Sequence, residues 1–392
     1  MAGYRTARPD ASARPGSAVV GGEVLPHPHG TAASGPGIRR AHAGSSFLVG
    51  PLGRGWSRLD KEAFEAEHLV AGATRSHGAG RRLVDEEPDA TRTCFERDRD
   101  RILHSSAFRR LAGKTQVFVF PDDHQRTRLT HAIEVAQVAT SLASALHLNL
   151  ALTEAIALGH DCGHGPGGHA SEDALDPYVD EGYDHAVWGA DVVLTPLNLC
   201  QETLDGIRNH SWSRPTPSTP EAEIVAWADR IAYVCHDFED AVSAGLVTPD
   251  RLPEAVRRRC GSTRRLQLAS FIEAVVEATI STGEIGMHDE VADALAAFRL
   301  FNYEHIYLRP SSVEQGNRVV RLLRALVEHY AAHPGLLPPS RLRDIDASSP
   351  EAFREAVTYV GGMTDRFACT QAVALVGYPV NDLPTGFDLP TR

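Results

Sequence analysis

Lysine is nearly absent from this chain: of 39 basic residues only Lys61 and Lys114 are not arginine. Beside heavy alanine and glycine use, this reads as codon bias in a GC-rich genome rather than a functional demand. The six cysteines, Cys94, Cys162, Cys200, Cys235, Cys260 and Cys369, form no CxxC pair and no short-domain framework. That excludes a zinc finger and fits free thiols in a reducing compartment. No apolar run approaches the roughly 20 residues that span a bilayer, and no apolar core follows the N-terminus. The expectation is a cytoplasmic protein with no membrane partner. A general excess of positive charge is missing too: 51 acids against 39 Lys and Arg give a net charge of -12. The surface as a whole is therefore not built for nucleic acid or anionic lipid, and any anion site has to be local.

One local candidate runs from Arg92 to Arg128, where nine Arg or Lys stand against five Asp or Glu. Ion pairs at i,i+4 on a solvated helix face account for part of that excess. Residues 1–56 are crowded with Gly, Pro, Ala, Ser and Arg without apolar periodicity, which predicts a flexible extension. From residue 57 to 392 the helical period dominates. Apolar residues at three-and-four spacing predict helices over Thr91–Leu111, Leu129–Leu146, Thr153–Asp161, Asp184–Val193, Pro220–Ala244, Leu266–Ile280, Pro310–His329 and Pro350–Ala374. Thr153 is placed to cap its helix, and Pro220-Glu221 supplies a first turn. Only Thr115–Phe120 reads as β, a short edge at most. The predicted fold is all-α.

The chemistry concentrates in Ala151–His169, ALTEAIALGHDCGHGPGGH, where a helix ends in His160-Asp161 and runs into a Gly-rich turn bearing His164 and His169. Three histidines and an acid within ten residues are hard to explain as packing. Adjacent helix residues point about 100° apart, so a metal held by both needs ligands from other helices. His131 and Asp229 are the candidates. Alone, His131 reads as a packed histidine and Asp229 as half of an ion pair; together with the His-Asp pair they favour a ligand set, because an acid on an apolar helix face is costly unless paired or ligating. Tyr233 and Asp237 continue the Asp229 stripe at i+4 and i+8, either as an exposed polar face or as a wall that hydrogen-bonds a hydroxylated substrate.

The ordered set His, His-Asp, Asp is that of the HD superfamily. More narrowly, ERDRDRILHSSAFRRLAGKTQVF, RTRLTHAIEVAQVA, LTEAIALGHDCGHGPGGHASEDAL, ADRIAYVCHDFEDA and GGMTDRFA, spread from Glu96 to Ala368, resemble the dGTP triphosphohydrolase family. The resemblance implies an HD-domain helical bundle with additional helices, its core at about 126–240. It implies that His131, His160, Asp161 and Asp229 hold a divalent metal and that Arg128 grips phosphate. His164, His169 and His185 would line the reacting phosphate, with His169 protonating the leaving 5′ oxygen. Gln116, Val117, Tyr233 and Asp237 would hold the deoxyribose. This chain departs from the family at Gly165-Pro166-Gly167, and Ala186 follows His185 where the family has Asn.

The implied reaction is hydrolysis of dGTP or several deoxynucleoside triphosphates to deoxynucleoside and tripolyphosphate. By family the cofactor is Mg²⁺ or Mn²⁺; by ligand softness Fe²⁺, Co²⁺, Ni²⁺ and Zn²⁺ also suit a mixed His/Asp set. Expected partners are the nucleotide substrate, a nucleotide activator and further copies of the chain. Two alternatives stay open: another HD nucleotide phosphohydrolase or phosphodiesterase, and a non-hydrolysing binder of nucleotide or single-stranded nucleic acid.

Overall fold

The computed structural model describes residues 41–42, 53–121, 124–338 and 345–385. The chain divides into two units, Met1–Gly55 and Trp56–Arg392. Of the first, only residues 41–42 and 53–55 are described, all exposed, so the predicted flexible extension lies almost wholly outside the described residues.

The second unit is all α. Its helices are α1 (Arg58–His68), α2 (Cys94–His104), α3 (Ser106–Arg110), α4 (Arg128–Ala145), α5 (Leu150–Gly159), α6 (Ala170–Leu175), α7 (His185–Trp188), α8 (Gln201–Arg208), α9 (Pro220–Ser243), α10 (Glu254–Cys260), α11 (Arg264–Thr282), α12 (Asp289–Asn302), α13 (Pro310–Ala332), α14 (Pro350–Gly361) and α15 (Asp365–Gln371). Among the described residues there is no strand. The expected β edge shrinks to one antiparallel bridge between Thr115 and Thr127, because Gln116, Val117 and Val119 face a cavity instead of a partner strand.

Local capping explains where the periodicity misleads. The stretch predicted as one helix over Thr91–Leu111 is cut at Ser105, whose hydroxyl accepts from the Phe108 N–H and starts α3. The last predicted helix is cut likewise, with α14 ending at Gly361 and Thr364 capping α15. Thr153 is not a cap: Asn149 accepts from Leu152 N–H and starts α5 one turn earlier, while the Thr153 hydroxyl donates back to the Asn149 carbonyl. Pro220 does open α9, with Thr219 as its cap.

Two apolar cores form. In the first, α4 packs against α5 and α9, and α2 against α5. In the second, α13 packs against α6 and α14. The His-rich segment after α5 leads from Cys162 in the first core to Ala174 in the second, and a cavity of about 630 Å³ is lined by residues from both sides.

Candidate active site

Thr127 caps α4, so Arg128 stands in its first turn and His131 lies one turn on, both buried. His160 and Asp161 follow the last residue of α5, and Asp229 comes from the middle of α9. The His160 Nδ1 lies 2.6 Å from the Ala157 carbonyl oxygen and donates to it. Its Nε2 is buried without a partner, 3.5 Å from Asp161 Oδ1 and 3.7 Å from Asp229 Oδ1. His131 Nε2 lies 3.0 Å from Asp229 Oδ1 and 4.0 Å from Asp161 Oδ2. His131, His160 and Asp229 each place a ligand atom within 4.8 Å of the others, and Asp161 lies beside both histidines while its Oδ1 also faces His164 and His185.

These residues fit a divalent cation. Two donors each about 2.1 Å from a common ion are about 3.0–3.4 Å apart, close to the separations found. The His160 lone pair, buried and facing two carboxylates, is an acceptor among acceptors, costly unless a cation or proton sits there. Burial alone would raise Asp161 and Asp229, but Arg128 with the histidines, and the His131 hydrogen bond, hold both carboxyls well below their usual range. His131, which burial would lower, is raised by Asp229.

Arg128 donates from one Nη to Asp161 Oδ2 at 2.8 Å, and its Nε and other Nη have no partner. It faces the cavity, so a buried cation retains donors for an anion there. The His164 Nε2 lies 3.4 Å from Asp161 Oδ1, and burial with the Arg128 charge pulls it well below the usual histidine range. The His169 side chain is exposed to the cavity yet crowded by protein; that crowding, then Arg128, brings it down to about 4. His185 is held through Nδ1 by Glu172 at 2.6 Å, which leaves its Nε2 4.0 Å from Asp161 Oδ1. Burial would raise Glu172, but His185 holds it down to about 2.

Two glycines permit this approach. A Cβ on Gly163 would stand 1.9 Å from the His185 carbonyl oxygen, and one on Gly168, where φ is +65°, would stand 2.9 Å from the Arg128 guanidinium. Asp365 of α15 fastens the loop from below, accepting from the Thr115 N–H and hydroxyl and from the Gly167 N–H. Lys114 donates to the His164 and Gly361 carbonyls, which ties the same loop to the end of α14.

Gln116, Val117, Tyr233 and Asp237 line the same cavity. Asp237 accepts from the Tyr307 hydroxyl at 2.5 Å, while its other oxygen and the Gln116 Oε1 are buried without partners. Burial pushes the Asp237 carboxyl up to about 7. The Tyr233 hydroxyl accepts from Arg299.

Sequence reasoning missed His210, Glu172, Trp212, Arg230 and Tyr307. His210 repeats the His160 device: its Nδ1 donates to the Ile207 carbonyl three residues back, and its Nε2 faces His185 Nε2 at 3.3 Å. That His210 is the single histidine between His185 and His236, just past an amphipathic stretch, was the available signal. Arg230 stacks on Trp212, 3.8 Å from the ring centroid, and forms part of the cavity wall.

The chain matches the HD domain family over residues 128–234 and the phosphohydrolase-associated domain over residues 285–373. It is 37% identical over 314 residues to a deoxyguanosinetriphosphate triphosphohydrolase-like protein of Caldanaerobacter subterraneus subsp. tengcongensis, covering 78% of this chain and 92% of that one. Proteins of the same description match from Roseobacter denitrificans (37% identity, 75% of this chain and 94% of that one) and Clostridium perfringens strain SM101 (38%, 73% and 87%). Among the described residues no helix is long and apolar enough to cross a membrane. An HD domain with these relatives makes the chain a phosphohydrolase, and it belongs to the deoxyguanosinetriphosphate triphosphohydrolase-like family.

Proposed function

We propose that the chain hydrolyses deoxynucleoside triphosphates, dGTP or several of them, to deoxynucleoside and tripolyphosphate, with His131, His160, Asp161 and Asp229 holding a divalent cation, Mg²⁺ or Mn²⁺ by family. The observation that carries this reading is one cavity lined by residues of the ligand set and by complementary unpaired donors and acceptors. The same cavity holds the unpaired donors of Arg128, suited to phosphate, and the unpaired acceptors Asp237 Oδ1 and Gln116 Oε1, suited to a hydroxyl. When bound, the cation supplies positive charge for the phosphate and makes water a better nucleophile.

The remaining work falls to side chains. Arg128 is held rigid by Asp161 and orients the phosphate. His169 faces the cavity and is the group chosen to protonate the leaving 5′ oxygen; an incoming triphosphate offsets the Arg128 charge that depresses it and so favours its protonated form. His164 and His185 hold the phosphate side of the cavity, His185 with Glu172 as its orienting carboxylate. Asp237 and Tyr233 hold the deoxyribose hydroxyl, and Gln116 with Val117 leaves no place for a 2′-hydroxyl. The same reading carries a cytoplasmic location, self-association and a nucleotide activator.

The test is incubation of the purified, metal-reconstituted chain with each dNTP and with GTP, followed by chromatography of the products. Deoxynucleoside and tripolyphosphate from dNTPs, at rates above that for GTP, support the reading. Release of phosphate or pyrophosphate, or equal rates on dGTP and GTP, overturns it.

A further inference from the structure

Away from the cavity, a recess of about 260 Å³ opens beside the start of α2, lined by Arg58, Arg81, Arg82, Arg92, Arg97 and Cys94 with acidic side chains between them. Two thiols meet at its edge. Cys94 is the first residue of α2 and half-buried; Cys200 immediately precedes α8 and is buried. The Cys200 thiol donates to the Cys94 carbonyl at 3.9 Å, although 106 positions separate them. Gly80 covers the pair: a Cβ there would stand 2.6 Å from the Cys94 sulfur and 3.5 Å from the Cys200 sulfur.

The pairing is held by a frame that does not depend on sulfur. Asp98 of α2, fully buried, accepts from the Cys200 N–H at 2.8 Å and the Thr203 hydroxyl at 2.7 Å, both at the start of α8. Arg82 donates to Asp98 at 2.6 Å and to the Cys94 carbonyl at 3.0 Å. The starts of α2 and α8 are therefore locked together before any bond joins the thiols.

The two sulfurs differ in reactivity. Cys94 is half-buried and lines the recess, which a small oxidant can enter. Cys200 is kept protonated by its hydrogen bond to Cys94, by burial and by Asp98. Attack belongs to Cys94 and resolution to Cys200.

We propose that Cys94 and Cys200 form an oxidation-sensitive pair that closes to a disulfide on exposure to a peroxide and reopens with a thiol reductant. The Cys94 sulfur attacks one peroxide oxygen; the O–O bond breaks, the departing hydroxide takes the Cys94 thiol proton to become water, and Cys94 is left as a sulfenic acid. The Cys200 sulfur then attacks the Cys94 sulfur, the S–O bond breaks, and the expelled hydroxide takes the Cys200 proton. Two thiols lose two electrons and one peroxide becomes two waters. The bond ties the start of α2 to the start of α8, the helix that ends two residues before His210.

The experiment exposes the full-length, metal-loaded chain to hydrogen peroxide, alkylates it in denaturant and maps its peptides. Of six free thiols four should remain, with one linked peptide pair carrying Cys94 and Cys200, restored by dithiothreitol. The oxidised protein should melt at a higher temperature than the reduced one. In Cys200→Ser, which removes the resolving thiol, Cys94 should accumulate as a dimedone-reactive sulfenic acid. Recovery of both cysteines as alkylated thiols from the treated wild type, or of an unmodified Cys94 thiol from treated Cys200→Ser, overturns the proposal.

Discussion

His169 is separated from the ligand pair by a Gly-rich turn and faces the cavity, so its loss should spare the metal. In the free protein its enclosure and Arg128 bring it to about 4, which makes it neutral near pH 7 until a triphosphate arrives. His169→Ala should keep its metal and bind substrate, yet lose roughly 10² to 10⁴ in kcat. The deficit should shrink on a nitrophenyl phosphodiester, whose leaving group needs no proton. Kinetics of both substrates with metal analysis of the variant check this; lost metal, or equal impairment on both, moves the proton donor to His164 or His185. The sign of the pH effect follows: the donor acts only when protonated, so kcat should fall as pH rises through its value in the substrate complex, which the triphosphate sets above the free protein's value of about 4. At this scale the histidines and acids of the ligand set were legible because they crowd into motifs. His210 and Glu172 were not. A lone histidine 49 residues past Asp161 and an acid on a six-residue helix acquire meaning only when folding brings both beside His185.

Helices α14 and α15 show why GGMTDRFA belongs with a site almost 200 positions away. Asp365 makes three hydrogen bonds to Thr115 and Gly167. Asp365→Ala leaves two buried N–H groups unpaired, a cost of about 3 kcal/mol, and frees Gln116 and the Gly-rich loop together. Denaturant midpoints should drop and KM should rise, whereas an unchanged KM would mean that the clamp does not position the cavity wall. Lys114 tests the same junction through pH. Burial, then Arg110, lowers its ammonium from 10.5 to about 7. Between those values the unfolded chain carries the proton and the folded chain does not, so stability rises with pH across that window. Unfolding of wild type and Lys114→Met at pH 7 and pH 9 should show wild type gaining on the variant by up to about 1.4 kcal/mol per pH unit. A difference independent of pH would show that Lys114 keeps its proton. The long amphipathic helices were legible from their period, and the breaks at Ser105 and Gly361 were not. An apolar repeat passes through a cap unchanged, and only the backbone hydrogen bonds reveal the stop.

Across the whole body, the ligand residues come from α4, the end of α5 and α9, and the loop that follows α5 enters the second core. No periodicity predicts that junction, because it arises where α13 packs on α6. A cation bound by His131, His160, Asp161 and Asp229 would fasten three helices of the first core at the point where the second joins it, and binding to the folded state alone stabilises that state. At a hundredfold excess over Kd the increment is about 2.7 kcal/mol. For a body spanning Trp56–Arg392, with an unfolding entropy of about 2.1 cal/mol/K per residue, that corresponds to roughly 4 °C in Tm. The increment should shrink at pH 5.5, because His131 must be neutral to ligate and Asp229 favours its protonated form. Thermal melts of wild type and Asp161→Ala, each with chelator and with Mn²⁺, at pH 7.5 and 5.5, separate ligation at this site from general ion effects. Wild type should gain several degrees at pH 7.5 and less at 5.5, and the variant should gain almost nothing at either. Equal gains in both proteins would place the stabilising ion elsewhere and remove Asp161 from the ligand set.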